Sequence, residues 1–235
     1  MKVEIWSDVV CPFCYIGKRK FEGALNQFAN NNNIEIEWKS FQLSPDMKTE
    51  PGKNLNRFLA EHKGISIEQA AALNQQVTAM AAQEGLTYNL DNAVVANTLN
   101  AHRFLHFAKQ YGKQNEAEEA LFRAYFTDGK NIDDYPTLLQ LGAALGLDTT
   151  ALQTALENGS YANEVRSDII EAQRIGVRGV PFFVFDRKYA VSGAQPTEVF
   201  LNALEKSFEE WQQQKAPTLQ QVADGASCTT DGECK

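Results

Sequence analysis

The sequence predicts an α/β protein in the order β–α–β, a large all-helical insertion, then β–β–α. Three observations carry this. A short apolar strand runs straight into Cys11-Pro12-Phe13-Cys14 where a helix begins. Residues 34–41 alternate apolar and polar in strict period two. Strand signals return at Val180-Pro181-Phe182-Phe183-Val184-Phe185, after helical periodicity that fills most of the chain between Asn54 and Gly176.

Val3, Ile5 and Trp6 read as the first strand, and Gly17, Lys18, Arg19 and Phe21 continue the helix opened by the cysteines. An Asn-rich turn, Asn30 to Asn33, leads into Ile34-Glu35-Ile36-Glu37-Trp38-Lys39-Ser40-Phe41, a strand with one buried face. Strand, helix and strand in this order suggest a right-handed βαβ unit. Pro45 and Pro51-Gly52 then break the pattern. Ser66-Ile67-Glu68-Gln69 has the form of a capping box ahead of Ala70, Leu73, Val77, Met80 and Ala81. Further amphipathic stretches carry Val94, Val95, Leu99, His102, Leu105 and His106, then Ala117, Leu121, Ala124 and Tyr125, then Leu138, Leu141 and Leu145. Asp148 is placed to cap the next helix, and Tyr161 to Ile175 forms a long return helix stopped by Gly176. Asp186-Arg187-Lys188 turns the last strand pair into a hairpin, and Thr197 is placed to cap a final helix through Phe200, Leu204, Phe208 and Trp211. The expected division is a discontinuous α/β domain, 1–45 and 177–214, a helical subdomain over 46–176, and a mobile tail over 215–235 holding Cys228 and Cys234.

The composition narrows the function. A net charge of -8 argues against nucleic acid or an anionic membrane as partner. No stretch approaches the roughly 18 apolar residues of a membrane span, and no apolar signal region precedes the first strand, so a cytoplasmic protein is expected. Four cysteines are too few for a disulfide scaffold in a chain of 235 residues. Oligomeric state leaves no trace in the sequence.

Two thiols two residues apart at a helix N-terminus can close a small disulfide, and the positive end of the helix favours a thiolate on the first sulfur. This is a recipe for thiol–disulfide exchange. The alternative, half of a zinc site, lacks a second close Cys-x-x-Cys or His pair. Pro181 offers two readings at this point: a trans proline at a strand start, or a cis proline that turns Val180 towards the cysteines and frees its backbone for a substrate strand.

Asp8-Val9-Val10-Cys11-Pro12-Phe13-Cys14-Tyr15-Ile16-Gly17-Lys18, together with Gly176-Val177-Arg178-Gly179-Val180-Pro181-Phe182-Phe183, resembles the DsbA-like thioredoxin-fold family. More narrowly it is similar to the cytoplasmic FrnE-like branch, which Asn97 to Arg103 and Ser192 to Gln195 also fit. The resemblance covers roughly residues 2 to 211. It implies a thioredoxin fold with a helical insertion, a cis proline at Pro181, and oxidoreductase or isomerase activity on protein or low-molecular-weight thiols and disulfides. The redox-active disulfide would be the only prosthetic element, with glutathione at most as co-substrate and no metal.

In that reading Cys11 is the more exposed, attacking thiol and Cys14, one turn deeper, resolves the mixed disulfide. Pro12, Phe13, Val180 and Pro181 form the substrate-binding surface. Phe13 departs from the Cys-Pro-His-Cys of periplasmic DsbA, and without an imidazolium between the sulfurs a less oxidising protein is expected. Asp8 reads as a solvated carboxylate at the strand end, or, if buried, as a proton relay to Cys14. His102 and His106 read as packed or hydrogen-bonded, with His102 a secondary site candidate. Cys228 and Cys234 are either an accessory redox pair or incidental thiols. Three competing functions remain open: a glutathione-dependent transferase or isomerase of the kappa-class or hydroxychromene-carboxylate type, whose members typically keep serine where Cys11 stands; a redox-linked chaperone; and a metal-binding protein that pools the two cysteine pairs.

Overall fold

The computed structural model describes residues 1–215; Cys228, Cys234 and the expected tail lie outside the described residues. Strand β1 (Lys2–Ser7) pairs in parallel with β2 (Glu35–Ser40), and helix α1 (Pro12–Gln27) makes the crossover. Strand β3 (Phe182–Phe185) runs antiparallel along the other edge of β1, and β4 (Tyr189–Ser192) completes the order β2-β1-β3-β4. β1 is thus central and carries apolar residues on both faces, as a strand covered on both sides must. Asp186 and Arg187 both have positive φ, and the Lys188 N–H donates to the Phe185 carbonyl at 3.0 Å to close the turn of the hairpin.

Between β2 and β3 lie helices α2 (Leu55–Lys63), α3 (Ile67–Gln83), α4 (Leu99–Lys109), α5 (Gln114–Phe122), α6 (Tyr135–Ala144), α7 (Thr149–Glu157) and α8 (Ala162–Arg174). Helix α9 (Thr197–Lys215) follows the hairpin. The caps expected at Ser66, with Gln69 returning the bond, and at Asp148 are formed. No helix among the described residues is long and apolar enough to cross a membrane.

Among the described residues, three apolar clusters hold the layers together. Val3, Ile5, Phe183 and Phe185 pack against Phe21, Phe200 and Leu204, closing one face of the sheet under α1 and α9. On the other face Trp6 and Val184 meet Ala172 and Val177, from α8 and its exit. The largest cluster fills the insertion, through Phe104, Leu121, Phe126 and Leu152, and extends to Cys11 and Cys14.

Three local expectations shift. Val94 and Val95 precede α4 instead of opening it; Val95 lies in an isolated bridge with Glu50. Asn97 stops the helix there, its Nδ2 donating to the carbonyls of Pro45 and Met47 while its Oδ1 accepts from the N–H of Leu99. Thr197 is the first residue of α9 and not its cap. Beyond Phe122 the chain widens into a π-helical turn over Arg123–Thr127, a distortion the apolar periodicity did not announce.

Candidate active site

Cys11 occupies the N-cap position of α1 and Pro12 its first turn, where a missing N–H removes no helical bond. The Cys11 N–H donates to the Asp8 carbonyl at 2.9 Å and the Cys14 N–H to the Cys11 carbonyl at 3.0 Å, so the turn itself fixes both sulfurs. No acidic side chain sits in the first turn. Both cysteines are free thiols in this structure and both are buried, Cys11 at 5% exposure and Cys14 at 1%.

The Val180–Pro181 peptide bond is cis. The Cys11 Sγ lies 3.5 Å from the Val180 carbonyl oxygen, across a sequence distance of 169 residues. The approach depends on Gly17: a Cβ built there would stand 2.9 Å from the Pro181 Cγ. Tyr88, from the insertion, donates its hydroxyl to the Pro12 carbonyl at 2.7 Å, tying the peptide between the cysteines to the helical layer. Phe13 stands outside at 42% exposure.

Asp8 is 1% exposed, which overturns the reading of a solvated carboxylate. Its position just past β1 turns it inward, where Oδ2 accepts from the Leu43 N–H at 2.8 Å and Oδ1 pairs with His102 Nε2 at 3.3 Å. His102, itself 1% exposed, is sealed behind Asp8 and does not line the cleft. Burial works against its charge, but the hydrogen bond and charge of Asp8 prevail and raise its pKa above the usual imidazole value. His106 turns the other way, 3.0 Å from Asp168 Oδ2 and 3.2 Å from the Ser40 hydroxyl. The two histidines thus serve separate polar clusters.

Two residues that sequence reasoning passed over complete the floor of the site. Ser7 ends β1 and donates to Glu118 Oε1 at 2.8 Å. Glu118 is fully buried, and its Oε2 has no hydrogen-bond partner among the described residues. Burial lifts its pKa to about 7, against the opposing pull of Ser7, His102 and Lys18. A signal for it existed: Glu118 shares the inward face of α5 with Gln114 and Leu121, a carboxylate on an apolar stripe. Cys14 is held far above the ordinary thiol value, first by burial and then by the neighbouring Cys11 sulfur; the Asp8 backbone and the Ser7 hydroxyl draw it partly back. A protonated Cys14, Ser7 and Glu118 therefore form one buried series.

Above this floor a cavity of about 560 Å³ opens, with Cys11, Pro12, Phe13 and Val180 on one side and α2, α3 and the π-helical turn on the others. Cys11, Cys14, Pro12, Phe13, Val180 and Pro181 are thus brought together. His102 joins them only through Asp8.

A paired thiol on a helix end beside a cis-proline loop, set in this sheet order, is the arrangement of the thioredoxin class. Residues 2–205 match the DSBA-like thioredoxin domain, and the chain belongs to that family. Among solved structures it is similar to a probable DsbA oxidoreductase, SCO1869 of Streptomyces coelicolor, with 38% identity and a TM-score of 0.83 over 100% of this chain and 98% of that one. It is 29% identical to the uncharacterized protein YwbO of Bacillus subtilis over 86% of this chain and 94% of that protein. The cytosolic disulfide reductase DsbM of Pseudomonas aeruginosa, solved with GSH, shares the fold at 17% identity and a TM-score of 0.60, over 91% of this chain and 98% of that one.

Proposed function

We propose that the protein is a dithiol–disulfide oxidoreductase in which Cys11 attacks and Cys14 resolves. The observation that carries this is the division of labour between the two sulfurs. Cys11 sits on the wall of a cavity 3.5 Å from a backbone carbonyl, whereas Cys14 is sealed behind it against Ser7. The Cys11 thiolate attacks one sulfur of a substrate disulfide; an S–S bond to Cys11 forms and the other substrate sulfur leaves as thiolate. Cys14 then gives up its proton, attacks the Cys11 sulfur and releases the second substrate thiol. The substrate gains two electrons and the pair closes as a disulfide; the reverse sequence oxidises a dithiol substrate. The electrons reside in the cysteine pair itself, and glutathione or a partner dithiol resets it.

The slow element is the proton on Cys14, because burial opposes its loss. Ser7 and Glu118 offer an exit. Ser7 lies close enough to Cys14 to draw its pKa down, and its hydroxyl donates to Glu118, a carboxyl whose pKa near neutrality suits it to take a proton and pass it on. Asp8, the relay considered from sequence, is occupied by His102 and the Leu43 N–H.

The test is a pair of variants on the full chain. Cys11→Ser should abolish disulfide reduction, and Cys14→Ser should accumulate a mixed disulfide at Cys11 visible by mass spectrometry. Glutathione conjugation that survives Cys11→Ser would transfer the chain to the transferase reading, and a pair that never closes in any glutathione buffer would end the exchange mechanism.

A further inference from the structure

The cavity beside Cys11 has a chemical character that the exchange mechanism does not require. Its far wall is built from Leu55, Phe58 and Leu59 of α2 and Leu73, Val77 and Met80 of α3. The hydrogen bonds and close contacts at the cysteines come from α1, the Val180 loop and Tyr88, while α2 and α3 supply the wall facing them. Apart from the reactive thiol, the acidic and basic lining residues are Asp8, His62 and Lys63. Asp8 is already bonded to His102 and to the backbone, and its sign repels carboxylates. His62 and Lys63 are exposed at the end of α2.

Tyr125 adds one polar feature. It is 3% exposed and lines the cavity from the π-helical turn. A hydroxyl on a cavity wall is placed to donate to a ligand acceptor. The volume, about 560 Å³, is that of a pocket for a single small molecule. Cys11 is only 5% exposed, and what it exposes faces this cavity.

We infer that the α2–α3 cavity is a specificity pocket for an uncharged low-molecular-weight disulfide whose sulfur lies a few bonds from an aromatic or branched apolar group, with the Tyr125 hydroxyl donating to it. This rests on the exchange reading above and names its substrate class. Glutathione disulfide is a poor fit, since its carboxylates and ammonium groups would lose water without gaining partners on an apolar wall.

The reduced full-length chain is mixed separately with dibenzyl disulfide, bis(2-hydroxyethyl) disulfide, glutathione disulfide and an oxidised peptide with apolar residues around its cystine. The rate of each reaction is divided by that disulfide's rate with a free low-molecular-weight thiol, which removes intrinsic reactivity. In each case one disulfide is reduced to two thiols as the Cys11–Cys14 dithiol closes. Burying an aryl group in the pocket should favour dibenzyl disulfide over the hydroxyethyl and glutathione compounds by roughly tenfold or more. Leu73→Lys, which puts a cation on the wall at a position already 43% exposed and so tolerant of charge, should bring that ratio close to one. Val199→Lys, at 39% exposure on α9 away from the cavity, should leave it unchanged. Equal normalised rates, a ratio indifferent to Leu73→Lys, or the peptide reacting fastest would overturn the assignment while leaving exchange intact. A chain that reacts with none of the four would remove the exchange reading and the pocket assignment with it.

Discussion

Glu118 and Cys14 are each pushed towards the protonated form by the same burial, yet only one of them must ionise for the reaction to finish. The chemistry therefore hinges on where the Cys14 proton goes. Glu118→Gln keeps the size and the acceptor oxygen facing Ser7 but removes the base. The resolving step, followed by stopped-flow release of thiol from a preformed mixed disulfide, should slow by roughly a hundredfold, as for the loss of a positioned base. The rate should also lose its inflection near pH 7. A merely structural role for Glu118 would slow nothing selectively and leave the inflection in place.

At the scale of elements, the contact that sets the site is α1 against the loop entering β3. Gly17 makes it possible, since a methyl group there meets the Pro181 ring at 2.9 Å. Alanine would add up to about 1 kcal/mol of helix propensity, but forcing a rigid ring aside in a packed layer costs about 1–3 kcal/mol. Gly17→Ala should therefore destabilise the fold in urea titration and lower the disulfide-reduction rate more than its stability loss accounts for, because Val180 moves with Pro181. Much of this element plan is legible in the sequence. The alternation over Ile34 to Phe41, the cap at Ser66 and the stop at Gly176 are local signals, and local physics produces β2, α3 and the end of α8. Cys11 and Cys14 were legible for the same reason. Ser7 and Glu118 were not, because their bond joins residues 111 positions apart, and a serine at a strand end or a glutamate in a helix is unremarkable until the fold brings them together. Asp8 was misread by the same blindness, its burial being decided by α4 and the 41–43 segment.

For the whole molecule, buried charges predict how stability follows pH. Glu37 and Glu119 have pKa values lowered to about 2 despite desolvation, Glu37 chiefly by Lys109 and Lys2 and Glu119 chiefly by Arg19 and Lys18. What they contribute is present above the unfolded carboxylate pKa and is lost as pH falls towards 2. Glu118 works in the opposite sense. Its folded value, about 7 against 4.5 unfolded, means the native state binds the proton more tightly, so stability drains away as pH rises between those values. The displacement corresponds to about 3 kcal/mol at full ionisation. His102, raised by Asp8, likewise contributes stability below the ordinary imidazole pKa that is lost at higher pH. Urea midpoints measured from pH 3 to pH 9 should therefore peak on the acid side of neutrality, around pH 5, and Glu118→Gln should flatten the alkaline limb selectively. The placement of Glu118 has one more consequence. A thiol pair takes up protons along with electrons, and here one of those protons shares a sealed chamber with a carboxyl that titrates near the pH of a cell interior. Ser7 stands between that carboxyl and Cys14, and a coupling through it should make the midpoint potential plotted against pH bend near neutrality. A helix that lends no residue to the cavity wall would thereby tie the redox poise to ambient acidity.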